Sequence, residues 1–180
     1  LDAKSGKLFP AAKHGSGLSY LDNIIVSPDP DVPEGRGPIG LALRENRPFI
    51  VDDYTTAPRT APWRDRVKNF DWHSAGAFPI SRGGKPFAVL AVYHKESHAF
   101  DGEVIAMLDE MAKDLSFALD NFDRETQRKA AEESLRLAGL VYETSSEGIM
   151  VTNAENRIIA INPAFTEITG YTLEEVRDKN

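Results

Sequence analysis

The sequence predicts an α+β fold: an antiparallel sheet flanked by helices, then a long connecting helix, then an incomplete α/β segment. Three observations predict it. Two apolar runs, Gly76–Ser81 and Phe87–His94, meet across Arg82-Gly83-Gly84-Lys85, the clearest hairpin signal in the chain. From Glu103 to about Tyr142 there is no proline, and no glycine before Gly139, so one helix close to 60 Å long is possible at 1.5 Å per residue. Lastly, the β-branched runs Ile149–Thr152 and Ile158–Ile161 flank the polar break Ala154–Arg157 and lead into an Asn-Pro helix start.

Upstream of the hairpin, Leu8–Lys13 reads as a short strand after the turn Lys4–Lys7. Ser27–Gly37, with Pro28, Pro30, Pro33 and Gly35, is a loop. Pro38 suits the first turn of a helix, because its missing N–H would have had no partner there. Ile39, Leu41 and Leu43 give that helix apolar contacts, Arg47-Pro48 ends it, and Phe49–Val51 follows as a short strand before Asp52-Asp53. In the second hairpin arm Phe87, Val89, Ala91 and Tyr93 alternate with Ala88, Leu90 and Val92. Both faces of this strand are therefore expected to be covered.

Asp101 is placed to cap the long helix, where a carboxylate satisfies orphan N–H groups and opposes the dipole. Val104, Leu108, Met111, Leu115, Ala118 and Phe122 recur at spacings of four and three, the seam of a coiled coil or bundle. Residues 123–134 then turn polar, with Glu125–Lys129 and Glu132–Arg136 spaced as helix-supporting ion pairs. Leu135, Leu137, Ala138 and Val141 resume the apolar pattern. A homodimer formed through the helix over 103–142 is the expected assembly. In the last segment Asn162 caps a helix that Gly170 closes, and Thr172 with Glu175 forms a capping box for the next.

Composition narrows the function. With 41% apolar and 27% charged residues the chain is ordinary for a globular protein. No apolar stretch reaches the roughly 18 to 20 residues that span a bilayer, so a cytoplasmic segment is expected. The absence of cysteine excludes disulfides, thiolate metal sites and thiol nucleophiles from these residues. A net charge of −7, with no long run of Lys and Arg, argues against a nucleic-acid surface. There is no GxSxG, P-loop or HExxH pattern, and no carboxylate pair spaced for acid–base work, so no catalytic residue is expected. His94 and His98 have the spacing of a helical metal pair but fall at a strand end and in a loop, so no metal site is expected either.

Two families are resembled. Gly-x-x-Gly-x-Ala at Gly37–Ala42, RPFIVDD from Arg47, SAGAFPI from Ser74, GGKPFAVLAVY from Gly83, and Phe100-Asp101 with Glu103 together resemble a GAF domain over residues 1–122. The run EGIMVTNAENRIIAINPAFTEITGY, Glu147–Tyr171, resembles the opening of a PAS domain, expected over 143–180 after a signalling-helix linker at 123–142. Both modules read as partial, an excerpt of a larger polypeptide, and the last 35 or so residues alone are not expected to close a PAS core.

The resemblance implies a small-molecule ligand in a cavity between the sheet and the Pro38 helix, with Trp72, His73, Phe78 and Tyr93 lining it. Trp72 either stacks on a ligand or plugs the edge of the core. Asp52, Asp53 and Tyr54 lie where GAF domains present side chains at the pocket mouth, or else form a solvated acidic turn. Cyclic-nucleotide-binding GAF domains carry Asn-Lys, Phe and Asp-Glu, and here His94-Lys95 replaces the first pair. GAF-fold methionine-sulfoxide reductases, phytochromes and light-sensing flavin PAS domains depend on cysteine, which is absent, and the PAS-like part has no histidine for heme. No cofactor is specified.

The stretch Asp114–Val176 resembles GAF-PAS junctions in cyclic-di-GMP proteins bearing GGDEF and EAL output domains. The expected function is thus a non-catalytic sensory and relay segment of a bacterial signalling protein that regulates cyclic-di-GMP. The alternatives are the input region of a sensor histidine kinase, or a ligand-free dimerisation module.

Overall fold

The computed structural model describes residues 8–67 and 69–179. It comprises two units, Leu1–Phe122 and Asp123–Asn180. In the first, helix α1 (Pro38–Glu45), strand β1 (Phe49–Val51), the short helix α2 (Arg64–Val67), strands β2 (Ser74–Arg82) and β3 (Lys85–His94), and helix α3 (Gly102–Thr144) follow one another. Helix α3 continues into the second unit. The predicted turn at Lys4–Lys7 lies outside the described residues.

The three strands form an antiparallel sheet in the order β1-β2-β3, so β2 is central. Phe49 pairs with Ala77, Ala75 with Tyr93, and Phe78 with Leu90. Because strand side chains alternate faces, β2 divides two cores. Ala75 faces a cluster with Tyr20, Val26, Val51, Tyr54, Trp63, Val67 and Trp72. Phe78 and Ile80 face the other way, against Phe100, Leu108 and Ala112. Covered faces on both sides belong to β2; β3 is an edge strand with half-buried or exposed side chains, so its alternation overstated its burial. The tight turn is made by Gly83 and Gly84, with φ of 60° and 73°, values at which a side chain would be strained.

Glycines also explain the start of α1. A Cβ on Gly37 would sit 2.4 Å from the Trp63 ring, and one on Gly40 would sit 2.4 Å from the Gly35 carbonyl oxygen. The Gly-x-x-Gly-x-Ala pattern thus lets an indole and a loop backbone close on the helix. Asn46, left-handed at φ 49°, ends α1 before Arg47-Pro48 is reached. The strand expected at Leu8–Lys13 reduces to one bridge, Leu8 to Val26.

Asp101 caps α3 as expected, its carboxylate accepting from Val104 N at 2.9 Å. Farther along, Ser116 Oγ accepts from Ser81 N and Asp120 Oδ1 from Gly83 N, which pins the hairpin tip to the helix. The face laid on the sheet carries Val104, Ile105, Leu108, Ala112 and Leu119. Of the expected seam, Val104 and Leu108 are taken by this core, whereas Met111, Leu115 and Phe122 stay exposed. The helix therefore has two apolar faces, and the sheet claims the one centred on Ala112. Residues 127–134 are helical. Arg128 bridges Glu125 and Glu132, Lys129 pairs with Glu125, and Arg136 pairs with Glu133 in place of Glu132.

In the second unit β4 (Met150–Thr152) and β5 (Ile158–Ile161) pair antiparallel, with Met150 opposite Ile161. Asn153 Oδ1 accepts from Glu155 N and Arg157 N, which folds the predicted turn. Helices α4 (Pro163–Thr169) and α5 (Leu173–Val176) follow, with Gly170 left-handed at φ 78° and the Thr172–Glu175 capping box formed.

Replacing Leu108 by Ala is expected to cost about 2–5 kcal/mol in urea unfolding, and Leu115→Ala below about 1 kcal/mol in dilute protein. Equal costs would mean that the assigned core face of α3 is wrong.

Candidate functional site

Between the sheet and α1 the space is taken by the protein's own rings. Tyr20, from a 3-10 turn at Leu18–Leu21, is fully buried. Its ring meets Trp72 at 4.9 Å and Tyr93 at 5.3 Å, both edge-on, while Trp72 stacks on Tyr93 at 4.7 Å and 23°. Trp63 closes one side, its Nε1 donating to Ile25 O at 3.0 Å. The space left among Tyr20, Ile39, Tyr54, Trp63 and Tyr93 is about 10 Å³, room for about one water. The cavity is a packed aromatic box.

Three phenols share that box. Tyr20 and Tyr54 hydroxyls lie 3.2 Å apart. Burial raises the pKa of Tyr20, Tyr54 and Tyr93 above the usual phenol range, with the neighbouring phenols adding to the effect of desolvation. All three are therefore neutral donors at physiological pH.

Tyr54 and Tyr93 line the cavity, and Trp72 stacks behind Tyr93 as a core plug. Phe78 does not belong there. It is an even-numbered β2 residue on the α3 side, on the face opposite the Ala75–Tyr93 pair. His73 is half-exposed and tied to backbone, its Nδ1 lying 2.7 Å from Lys95 O. Asp52 is exposed and accepts from His98 N through its carbonyl. The Asp53 carboxylate accepts from Thr55 N at 2.9 Å and Thr55 Oγ1 at 2.6 Å, bonds that hold its pKa below the ordinary value. The acidic pair thus forms a solvated turn. Tyr20, Ile24, Val26 and Trp63 line the cavity without having been singled out from sequence. Only the isolated aromatics in the loops 17–26 and 58–63 hinted at them. Among the described residues no group of His, Asp and Glu is disposed to hold a metal.

A second built site lies in the second unit. Asn162, 1% exposed, makes four hydrogen bonds with its side chain. Oδ1 accepts from Ile149 N at 2.8 Å and Phe165 N at 3.0 Å, and Nδ2 donates to Tyr142 O at 3.1 Å and Glu147 O at 2.9 Å. Its backbone N–H also donates to Ile149 O. One amide therefore binds the end of α3, the start of β4 and the first turn of α4. The Asn-Pro helix start is more than a cap.

Two outcomes follow from these geometries. Asn162→Ala leaves buried backbone groups without partners and is expected to cost about 2–4 kcal/mol locally, with the Ile149 and Phe165 amides exchanging at least about tenfold faster. Unchanged exchange would remove the side chain as their acceptor. For the tyrosines, a raised folded pKa contributes stability that is complete below the unfolded value of about 10 and is lost as pH rises. Phenolate absorbance of Tyr20, Tyr54 and Tyr93 is thus expected to appear together with unfolding above about pH 10, whereas ionisation in the folded state would contradict the packed box.

Comparison with known proteins agrees with this division. The GAF domain family matches residues 5–120, and the PAS domain family matches residues 133–179. The sensor histidine kinase TmoS of Ectopseudomonas mendocina is 56% identical over 36 residues, which are 20% of this chain and 4% of that kinase. A solved domain from Sinorhizobium meliloti 1021, from a protein carrying the name two-component sensor histidine kinase, shares the fold at a TM-score of 0.52. It is 18% identical, over 70% of this chain and 79% of that one. The GAF domain region of a protein from Geobacter sulfurreducens PCA, named as a membrane protein, is 28% identical at a TM-score of 0.43, over 49% of this chain and 59% of its own. The chain belongs to the GAF domain family over most of its length and continues into a PAS domain, and the pair forms a sensory module.

Proposed function

We propose that this module is the input and relay region of a sensor histidine kinase, and that it performs no catalysis itself. The observation that carries the reading is the 36-residue stretch 56% identical to TmoS. The kinase name of TmoS favours kinase output over the cyclic-di-GMP output expected from the junction sequence. Relay through α3 fits its uninterrupted hydrogen bonding across residues 127–134 and the attachment of its last turn to Asn162. A register or rotation change in such a helix alters the groups that Asn162 holds.

Dimerisation is the second part of the proposal. Met107, Met111 and Leu115 leave an apolar stripe exposed on the first half of α3, and Leu135, Leu137 and Val141 expose another on the second half. A second copy of the helix offers a matching surface. The aromatic box, with space for about one water, supports a GAF core that acts by shape and assembly rather than by enclosing a metabolite there.

The whole natural protein carrying these residues is expected to form acid-labile phosphohistidine when given ATP. Synthesis or hydrolysis of cyclic-di-GMP without phosphohistidine would refute the kinase reading. In sedimentation, the chain is expected to dimerise, and Met111→Glu with Leu115→Glu to shift it to monomer at least about tenfold more readily. A wild-type monomer at high concentration would refute the dimer.

A further inference from the structure

Helix α1 has a second neighbouring space besides the aromatic box. Ile39 faces the box, whereas Leu41 and Arg44 lie on the other side of the helix and line a separate open cleft of about 420 Å³. Pro33, Leu41 and Pro62 give this cleft apolar walls. Three arginines from three separate segments line it: Arg36 before α1, Arg44 within α1, and Arg59 from the 3-10 turn at Pro58–Trp63. None of the residues lining it is acidic.

Two of the arginines are held in place by backbone. Arg36 Nε donates to Pro30 O at 2.8 Å and its Nη2 to Asp31 O at 3.2 Å. Arg44 Nη1 donates to Pro28 O at 2.7 Å and Gly35 O at 2.6 Å, leaving its Nε and Nη2 without a described partner. Arg59 stands over the Phe49 ring at 5.7 Å. These contacts orient the charges without neutralising them, because none of the three pairs with a described carboxylate. In a protein of net charge −7, a cleft lined by three arginines and no acidic residue favours an anion. Guanidinium donors suit anionic oxygens, and the volume lies in the range of small-molecule sites, about 300–1,000 Å³.

We infer that this cleft is a binding site for a small organic dianion, one that sets a phosphate or a pair of carboxylates against Arg36, Arg44 and Arg59 and its apolar body against Leu41 and the prolines. The inference is independent of the kinase reading, since it concerns binding by this chain alone. A ligand here would press on α1 from the side opposite the packed box, and so reach the sheet without entering the filled core.

Phenyl phosphate, isophthalate and phenol can be titrated calorimetrically against the chain. Phenyl phosphate or isophthalate is expected to bind with a Kd below about 1 mM and phenol at least about tenfold more weakly, the stronger of the two dianions naming the head group. Arg59→Gln, which breaks no described hydrogen bond, is expected to weaken the dianion at least about tenfold while leaving circular dichroism and unfolding unchanged. Arg36→Gln gives a second reading of the same site. No dianion binding at 1 mM or so, equal binding of phenol, or unaltered affinity in both variants would each overturn the proposal.

Discussion

The two-fold alternation of one central strand decides what this GAF domain can enclose. Residues of β2 at odd positions face the side of α1 and those at even positions face α3, and the register with β3 carries the same parity across to Tyr93 and Leu90. The α3 side receives the large buried ring of Phe78, whereas the fully buried β2 residues on the α1 side are the small Ala75 and Ala77. Small side chains on that face leave a hollow over the sheet. Loop aromatics fill it: Tyr20, Trp63 and Trp72 come from outside the strands and pack over the gap. The cavity therefore exists in the backbone and is closed by side chains that regular structure does not fix.

In the second unit the corresponding constraint is the Asn162 amide. Helix ends leave carbonyls without partners, and strand starts leave N–H groups without them. Tyr142 O and Ile149 N are such groups, and one side chain satisfies both while capping α4. A buried amide with four good partners is directional in a way that an apolar contact is not, because each partner must stay within about 3 Å. It therefore ties the end of the connecting helix to one local geometry of the hairpin. That property suits the relay proposed for α3.

Elements governed by local chemistry were legible in the sequence. The Gly83-Gly84 hairpin, the Asp101 cap, Asn162-Pro163, Gly170 and the Thr172–Glu175 box all act within a few residues, so spacing alone identified them. What required tertiary packing was misplaced. The seam of α3 has apolar residues on more than one face, and only the sheet decides that Ala112 is inward and Met111 outward. Phe78 fell on the wrong side because the strand's parity, unlike its existence, depends on which face α1 covers. Tyr20 and Trp63 stand in irregular segments where no period marks a side chain as buried.

A filled cavity also bounds what sensing at that position would require. Fully burying an aromatic side chain contributes about 1.5–3 kcal/mol, and each well-placed ring pair about 0.5–1.5 kcal/mol more. Tyr20 alone pairs with Phe70, Trp72 and Tyr93. A ligand entering the box must displace at least one such ring, and only the affinity left after that displacement can shift an equilibrium elsewhere. Binding on the outer side of α1 carries no such cost, because the walls there are already open and two of the arginines are already oriented by backbone carbonyls. Preorganisation of this kind leaves more of the interaction free energy available to bias α1. On these magnitudes, the open arginine cleft is the better place for a weakly binding small anion to act on this domain.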